Sequence, residues 1–338
     1  MATSDSPYFM GFLDTSSLKE VLLFKILKCY INPIFSLLGL ATNGLSVVMI
    51  CHSGLNRPSN ILLFSLVVAD SMSMLQTINI PQVLTYFDPQ KSYPRLNGWQ
   101  YSYGTSYFLY CLRCLIEFVS CWGCYVNSSI PVIITSERLC AIFWPLKFNK
   151  IFTNRSAVIG VAFCFVFWFP INVYDQAMFK FQFFNVSERV SMGVFATSEY
   201  LRQNIEVYKL MMSYVFEAIS IWVPLSLVSV GCLVIGIKIK MTMSHRRALT
   251  ASRAYTRWSP KTTRTLLATC LVFSVTRIAY SIIVYAFELD FVHMNEHFIY
   301  YEVINFIYMI NNSANFFVYV MFSNKFRVIF IDIFRNKM

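Results

Sequence analysis

Seven long apolar segments constrain the fold of this chain more than any other feature of its sequence. A helix needs about 20 mostly apolar residues to cross the hydrocarbon core of a bilayer. Segments of this kind, numbered here as spans 1 to 7, run approximately over 24–51, 59–85, 105–141, 156–178, 208–238, 262–288 and 298–322. Only 13% of the residues are charged, whereas soluble domains contain about 25%. The sequence therefore predicts an all-α membrane protein built on a seven-transmembrane helix bundle.

The residues after span 7 predict a shorter helix of a different character. Between Asn324 and Asn336, Phe and Ile alternate with Lys and Arg, which is typical of an amphipathic helix lying along a membrane surface. We therefore expect three regions: an extracellular N-terminal segment at 1–23, the bundle at 24–322, and a cytoplasmic helix and tail at 323–338. Between spans 4 and 5, the stretch Phe181–Val186 is a candidate strand of a short hairpin.

Basic residues are concentrated on one side of the predicted bundle. The segments after spans 1, 3, 5 and 7 hold sixteen Lys or Arg and one acid, Asp332. The positive-inside rule then places the N-terminus outside the cell and the C-terminus in the cytoplasm, so we expect a multi-pass protein of the plasma membrane. Because topology accounts for the net charge of +11, nucleic acid is not an expected partner. Asn185 begins an Asn-Val-Ser sequon on the outer side and is a candidate glycosylation site.

Polar residues recur inside the spans, where each one costs stability and needs a reason to be there. They form the motifs Gly39-Leu-Ala-Thr-Asn43, Leu66-Val-Val-Ala-Asp70, Glu137-Arg138-Leu139 with Pro145 seven residues after the arginine, and Asn315-Phe-Phe-Val-Tyr319, together with Trp168 in span 4 and Pro224 in span 5. Their order, spacing and sidedness resemble the rhodopsin-like G-protein-coupled receptors over nearly the whole chain. The stretches NRPSNILLFSLVVAD and SERLCAIFWPLKF resemble divergent invertebrate receptors of the molluscan chemosensory type.

The resemblance implies a receptor that binds an extracellular ligand and activates a heterotrimeric G protein. It assigns coupling and activation to Glu137, Arg138, Pro145 and Tyr319. In many relatives an acid at the base of span 6 helps Glu137 to hold the arginine in the resting state. Residues 238–287 of this chain contain no Asp or Glu, so we expect a weakly held resting state and signalling without ligand.

A second group of polar residues is expected to meet in the bundle interior. Asp70, Asn43 and Asn315 face one another in this arrangement, and Asn127 and Asn312 join them, because a carboxylate in hydrocarbon needs such partners. The resemblance implies a sodium ion held by Asp70, Asn127, Asn312 and Asn315. The sequence leaves open a purely structural hydrogen-bond network between helices.

The ligand pocket is expected near the outer mouth of the bundle. Residues about 20 positions before Arg138 lie roughly 30 Å above it along span 3. The candidates for ligand binding are Arg113, Glu117, Ser120, Glu217, Arg277 and Tyr280. Arg113 and Glu117 are four residues apart and either pair with each other or face a ligand. Glu217 and Arg277 are embedded in spans 5 and 6, and they likewise either pair with each other or face the opposite charges of a ligand.

The chain departs from the family pattern at several points. Residues 165–231 contain no cysteine, so the usual disulfide between span 3 and the second external loop cannot form, and Cys29 is a substitute partner for Cys111 or Cys114. Span 6 has Thr276-Arg277 in the region where the family has a tryptophan and a kinking proline. Phe316 replaces the proline of span 7.

Two classes of extracellular ligand remain open. The missing disulfide and the altered motifs favour a chemosensory receptor for a small molecule, whereas the long outer loop and pocket charges of both signs favour a neuropeptide receptor. An enzyme is not expected, because the sequence lacks the metalloprotease, nucleophile-elbow and phosphate-loop motifs. A transporter or channel is a remote alternative, since internal repeats are not evident.

Overall fold

The computed structural model describes residues 22–24, 26–87, 98–187, 190–248, 260–286 and 298–335. Seven helical spans pack into a bundle with a small sheet at one end, and the predicted helical fold is confirmed. Most of the predicted N-terminal region 1–23 and the connections 249–259 and 287–297 lie outside the described residues. We call the end of the bundle that carries Arg138 the arginine end, and the opposite end the sheet end.

The first four spans are helices of unequal length. Span 1 consists of a π-helical turn, Leu27–Ile31, followed by the α-helix Asn32–Ser53. Span 2 is Pro58–Met74 followed by Ile80–Phe87, span 3 is Tyr103–Phe143, and span 4 is Asn154–Gln176. The short helix Phe148–Ile151 connects spans 3 and 4.

The remaining spans include more irregular helix. Span 5 begins with Ile205–Lys209, passes through π-helical turns at Leu210–Phe216 and Ala218–Trp222, and ends with Val223–Ala248. Span 6 is Pro260–Ala286, span 7 is Phe298–Phe322, and the surface helix is Asn324–Arg335. The short helix Glu199–Gln203 precedes span 5.

Five of the described helices are by themselves long and apolar enough to cross a membrane. They are Leu22–Ser53, Tyr103–Phe143, Asn154–Gln176, Ile205–Thr242 and Leu267–Ala286. Span 2 is shorter because its apolar helix ends at Met74. Span 7 has the required length of 25 residues, but Glu302 and several asparagines reduce its hydropathy.

Span 2 is interrupted where the sequence predicted one helix from 59 to 85. The first helix ends at Met74 and the second begins at Ile80. Pro81 explains the interruption, because proline has no N–H to donate to the carbonyl of Thr77, four residues earlier, and so cannot continue the first helix. In the gap, Asn79 Nδ2 donates to the backbone oxygen of Arg113 at 3.3 Å, which ties the break to span 3.

The sheet contains the strands β1 (Gly98–Trp99), β2 (Phe179–Ser187) and β3 (Val190–Thr197). They are antiparallel and have the order β1-β3-β2. The predicted strand Phe181–Val186 falls within β2 and is confirmed. Trp99 is buried and its Nε1 donates to the backbone oxygen of Pro81 at 2.9 Å, so the sheet is joined to the second half of span 2.

Packing holds the sheet against span 3 without a disulfide. None of the ten cysteines forms a disulfide in the described structure, so the predicted bridge from Cys29 is wrong. Gly193 of β3 approaches span 3 so closely that a Cβ atom there would lie 2.6 Å from Cβ of Ser106. The ring of Phe181 lies 5.7 Å from the ring of Tyr103 in an edge-to-face arrangement, which is favourable for aromatic pairs. Contact between strand and helix therefore replaces the covalent bond.

Aromatic side chains organise the core toward the arginine end. Trp168 of span 4 stacks on Tyr125 at 5.0 Å and donates from Nε1 to Ser129 Oγ at 2.8 Å. Phe326 of the surface helix packs against Tyr319 of span 7, with 5.4 Å between ring centroids. The helix predicted after span 7 is therefore present and is attached to the bundle through Phe326, while its position along the membrane surface stays a prediction.

We predict that Gly123→Ala weakens the bundle, because a Cβ atom at this position would lie 2.8 Å from the backbone nitrogen of Ser73 and 2.9 Å from the carbonyl oxygen of Ala69. Overpacking of this kind costs about 1–3 kcal/mol, which lowers the unfolding temperature of the purified protein in detergent by roughly 5 °C.

Gly44→Ala is the matched control, since a Cβ atom there has nothing within 4 Å and alanine favours helix. Equal unfolding temperatures for the two variants would show that spans 2 and 3 do not meet at Gly123.

Candidate functional site

Asp70 is fully buried in the centre of the bundle and contacts span 7. Asn315 Nδ2 donates to Asp70 Oδ2 at 2.7 Å, and Ser73 Oγ donates to the backbone oxygen of Asp70 at 2.8 Å. Among the described residues, Asp70 Oδ1 has no hydrogen-bond partner. Because a buried carboxylate oxygen without a partner is costly, this atom is open to a cation, a proton or a water molecule.

Asn312 is the hub of the polar network around Asp70. Its Oδ1 accepts from Asn127 Nδ2 at 2.8 Å and from Asn311 Nδ2 at 3.1 Å. Its Nδ2 donates to Ser73 Oγ at 2.5 Å. Its backbone oxygen accepts from Asn43 Nδ2 at 3.2 Å. The network therefore joins spans 1, 2, 3 and 7, and the asparagines predicted to meet near Asp70 do so.

Span 6 joins the same network through Thr276. Its hydroxyl donates to Asn311 Oδ1 at 3.0 Å. Sequence reasoning missed Thr276, Asn311 and Ser73 as members of the network. Helical spacing could have identified two of them. Ser73 follows Asp70 by three residues and Asn311 precedes Asn315 by four, so each pair lies on one helix face.

Glu137 and Arg138 form a compact polar group at the arginine end, where span 3 meets the start of span 2. Arg138 Nη2 lies 3.3 Å from Glu137 Oε2. Ser59 bridges the two side chains: its Oγ accepts from Arg138 Nη2 at 2.8 Å and donates to Glu137 Oε1 at 2.8 Å. Glu137 is 1% exposed, so both charges are largely removed from water. Ser59 was not predicted, although the sequence places its hydroxyl directly after Pro58, at the end of span 2 that lies near Arg138.

The other two residues assigned to coupling lie at different depths. Pro145 is exposed in the turn that follows the end of span 3 at Phe143. Tyr319 is fully buried, and its hydroxyl has no hydrogen-bond partner among the described residues. Since it follows Asn315 by one helical turn, Tyr319 lies ~6 Å farther along span 7 toward the arginine end, between the polar centre and the rim.

Three of the ligand-binding candidates interact within span 3. Arg113 Nε lies 3.5 Å from Glu117 Oε2, so the pairing allowed by their four-residue spacing is present. Ser120 is buried and donates to the backbone oxygen of Glu117 at 3.0 Å. Much of the polar capacity of this group is therefore used within its own helix.

Glu217 and Arg277 do not pair with each other, although the sequence allowed it. Glu217 Oε1 lies 3.5 Å from the hydroxyl of Tyr285. Arg277 Nη1 donates to the hydroxyl of Tyr308 at 2.9 Å. The guanidinium carbon lies 4.8 Å from the ring centroid of Tyr308 and 5.3 Å from that of Phe273, which is within cation–π range.

Tyr280 belongs to the same cluster as Arg277. Its ring centroid lies 5.4 Å from that of Tyr308. Tyr280 follows Arg277 by one helical turn, and span 6 runs toward the sheet end, so the tyrosine lies on the sheet-end side of the guanidinium. Together Arg277, Tyr280 and Tyr308 form what we call the Arg277 cluster.

A buried ion pair between spans 1 and 7 was not predicted from the sequence. Lys28 Nζ lies 2.8 Å from Glu302 Oε1, and the two side chains are 9% and 5% exposed. Asn32 Nδ2 donates to the second carboxylate oxygen at 2.7 Å. The predicted spans already placed these opposite charges at the same depth, since Lys28 and Glu302 each lie four residues inside the sheet end of their spans.

The fold and its polar centre define a class of protein: a multi-pass membrane receptor with a seven-helix bundle. The family profile for the 7 transmembrane receptor (rhodopsin family) matches residues 42–319, which is most of the chain. The protein therefore belongs to the rhodopsin family of G-protein-coupled receptors. Members of this family are signalling receptors rather than enzymes, and they respond to an extracellular ligand and act through G proteins. No curated protein matches the chain closely enough to count as a relative.

We predict that Lys28→Met destabilises the receptor, because it leaves the carboxylate of Glu302 buried without its charge partner. Breaking a buried ion pair in this way costs about 3–5 kcal/mol. The double variant Lys28→Met/Glu302→Leu removes both charges and should recover most of the loss.

Unfolding temperatures of the single and double variants in detergent form a double-mutant cycle. If the double variant lost as much stability as the two single variants together, the pairing would be contradicted, because independent residues show no coupling energy.

Proposed function

We propose that this receptor is chemosensory, binds its ligand through the sheet end of the bundle, and activates a heterotrimeric G protein at the arginine end. The proposal places the sheet end outside the cell and the arginine end in the cytoplasm of a plasma membrane. The observation that carries it is the group of Glu137, Ser59 and Arg138 at one rim of the bundle. This group offers a rearrangeable charge at the surface where a cytoplasmic partner would bind.

Arg138 is the residue that we assign to switching. In the described structure its partners are Glu137 of the same span and Ser59 of span 2. Since 238–287 contains no acid, the arginine has no carboxylate of span 6 to restrain it. Outward movement of span 6 then breaks no ion pair, which lowers the energy difference between resting and active states.

Sidedness is supported by the surface of each end. Lys147, Lys150 and Arg155 are exposed at the arginine end, between the end of span 3 and the first turn of span 4, where anionic lipid headgroups or an acidic partner would meet them. Asn185 is exposed on β2 of the sheet, where a glycan could be attached without entering the bundle. Both features agree with a cytoplasmic arginine end.

The polar centre connects the two ends. Its hydrogen bonds run from Thr276 of span 6 through Asn311 and Asn312 to Asn127 of span 3. A ligand that displaces span 6 changes this network directly, and Asn127 lies eleven residues before Arg138 on the same helix. We therefore assign the network the task of coupling ligand binding to the arginine.

Asp70 is also suited to hold a sodium ion, which prefers oxygen ligands. Oδ1 of Asp70 is open, and Asn127 and Asn315 contribute neighbouring amide groups. Asn312 Oδ1 already accepts two hydrogen bonds, so it would join the ion only after rearrangement. The ion would supply positive charge to Asp70 and stabilise the arrangement in which these side chains converge.

A neuropeptide ligand is the second candidate. The sheet supports it, because a folded hairpin at the entrance gives an extended surface for a peptide to contact. The absence of a disulfide and the altered motifs of spans 6 and 7 support the chemosensory assignment instead. We favour the chemosensory assignment because the described charges near the entrance are mostly paired internally, as Arg113–Glu117 and Lys28–Glu302.

We predict that the receptor signals without ligand and that Ser59→Ala increases this basal signal several-fold, because Arg138 loses its contact with span 2. Arg138→Ala should abolish the basal signal while delivery to the cell surface is retained. The measurement is second-messenger output in cells that express a promiscuous G protein, at matched surface expression.

Ser65→Ala is the matched control, since the Ser65 hydroxyl donates only to its own helix, at the carbonyl oxygen of Ile61. Output no higher than in mock-transfected cells, or full signalling by Arg138→Ala, would contradict the assignment.

We predict that sodium raises the unfolding temperature of the purified receptor when choline is replaced by sodium at ~150 mM and constant ionic strength. The effect should disappear in Asp70→Asn, which lacks the open carboxylate oxygen. An Asp70→Asn variant that responds to sodium as the parent does would place the ion elsewhere.

A further inference from the structure

Arg277 differs from the other buried cations of the bundle in its partners. It is 4% exposed, and its close contacts are the neutral hydroxyl and ring of Tyr308 and the ring of Phe273. Lys28 and Arg113 each lie within 3.5 Å of a carboxylate oxygen. Within the part of the chain that the structure describes, Arg277 has no such carboxylate within 4 Å. A buried charge without a counter-charge is costly, so the site favours an anion.

The guanidinium also has an unused donor. Arg277 Nε is buried and has no hydrogen-bond partner among the described residues, whereas Nη1 is occupied by Tyr308. Guanidinium groups bind carboxylates through two parallel N–H···O bonds, and the edge that includes Nε is one of the edges suited to this geometry. The unpaired donor therefore indicates an acceptor with two coplanar oxygens.

Asp70 does not fill this role. It lies within electrostatic range of Arg277, but its Oδ2 accepts from Asn315 and the two residues form no described ion pair. Thr276, adjacent to Arg277, binds Asn311 of the polar centre. Because span 6 runs toward the sheet end, Arg277 lies on the sheet-end side of that network, which is the side from which a ligand enters.

We propose that Arg277 binds the carboxylate of the ligand and that Tyr280 and Tyr308 contact the apolar body next to it. The ligand class is then an organic acid with a flat or aromatic portion, since aromatic faces at this site favour such a body. The inference rests on the proposed function, which places ligand entry at the sheet end. The carboxylate belongs either to a small organic acid or to the free C-terminus of a peptide.

Benzoate and its neutral isostere benzamide provide a direct test on the purified full-length receptor in detergent. A fragment of this size binds with a dissociation constant on the order of 1 mM. At ~10 mM, benzoate should therefore raise the unfolding temperature by roughly 3 °C, and benzamide should not. Arg277→Met should lose the response, while Arg155→Met, which removes an exposed arginine at the opposite end, should keep it.

Equal effects of benzoate and benzamide on the parent receptor would overturn the proposal, and that comparison needs no variant. Undiminished stabilisation of Arg277→Met by benzoate would overturn it as well. If Arg277→Met does not fold, Arg277→Lys serves in its place. Lysine keeps the charge but lacks the two-donor edge, so the benzoate response should fall at least several-fold in apparent affinity, and an unchanged affinity would contradict the bidentate arrangement.

The source of the carboxylate is distinguished in cells that express the receptor with a promiscuous G protein. One panel contains small aromatic acids and their amides, and the other contains peptides with free or amidated C-termini. Responses confined to the acids of one panel identify the source, whereas equal responses to acids and amides overturn the proposal. Basal signalling that depends on Arg138 reports on coupling separately, so a failed carboxylate site is distinguishable from a failed receptor assignment.

Discussion

The structure depends on one constraint: a polar group inside a bilayer must find its partner within the protein, because hydrocarbon offers none. The helices satisfy their own backbone groups, which leaves the side chains to be matched across spans. Asn312 shows how strict this matching is. Its side chain and backbone bind groups from spans 1, 2 and 3, so the register of four helices is defined by one residue. These bonds act together with close packing between helices, such as that of Gly123 against span 2.

Contacts of several kinds hold the bundle where features that the family usually provides are missing. Close packing between Gly193 and span 3 attaches the sheet where a disulfide is missing. The pair of Lys28 and Glu302 fixes span 7 to span 1. Thr276 binds span 7 in a helix that lacks the usual proline. Noncovalent contacts are more easily rearranged than a covalent bond, so this receptor has fewer rigid restraints on movement between its helices.

The seven spans and the meeting of Asp70 with the asparagines were predictable, because apolar length and buried polarity are local properties of the sequence, whereas the short connecting helices were not predicted. Partners between distant spans were harder to predict, since helix rotation decides which side chains meet. Glu217 and Arg277 illustrate the limit: opposite charges in neighbouring spans suggested a pair, but each faces a tyrosine instead. The interruption of span 2 at Pro81 was readable in sequence and was missed because the apolar run continues through it.

Asp70 and Arg277 carry opposite charges, and neither forms an ion pair within the described residues. They lie on opposite sides of the network formed by Asn311 and Asn312. Asp70 retains an open carboxylate oxygen, and Arg277 retains an open N–H donor. Direct pairing would satisfy both groups, but Asn315 holds the carboxylate toward span 7 and Tyr308 holds the guanidinium. In the two proposals made above, each charge therefore binds a different ligand, a cation at Asp70 and an anion at Arg277. Because Thr276, Asn311 and Asn312 connect the two places, we expect occupation of one to change the free energy of binding at the other, which is the thermodynamic requirement for a receptor that transmits a signal through its core.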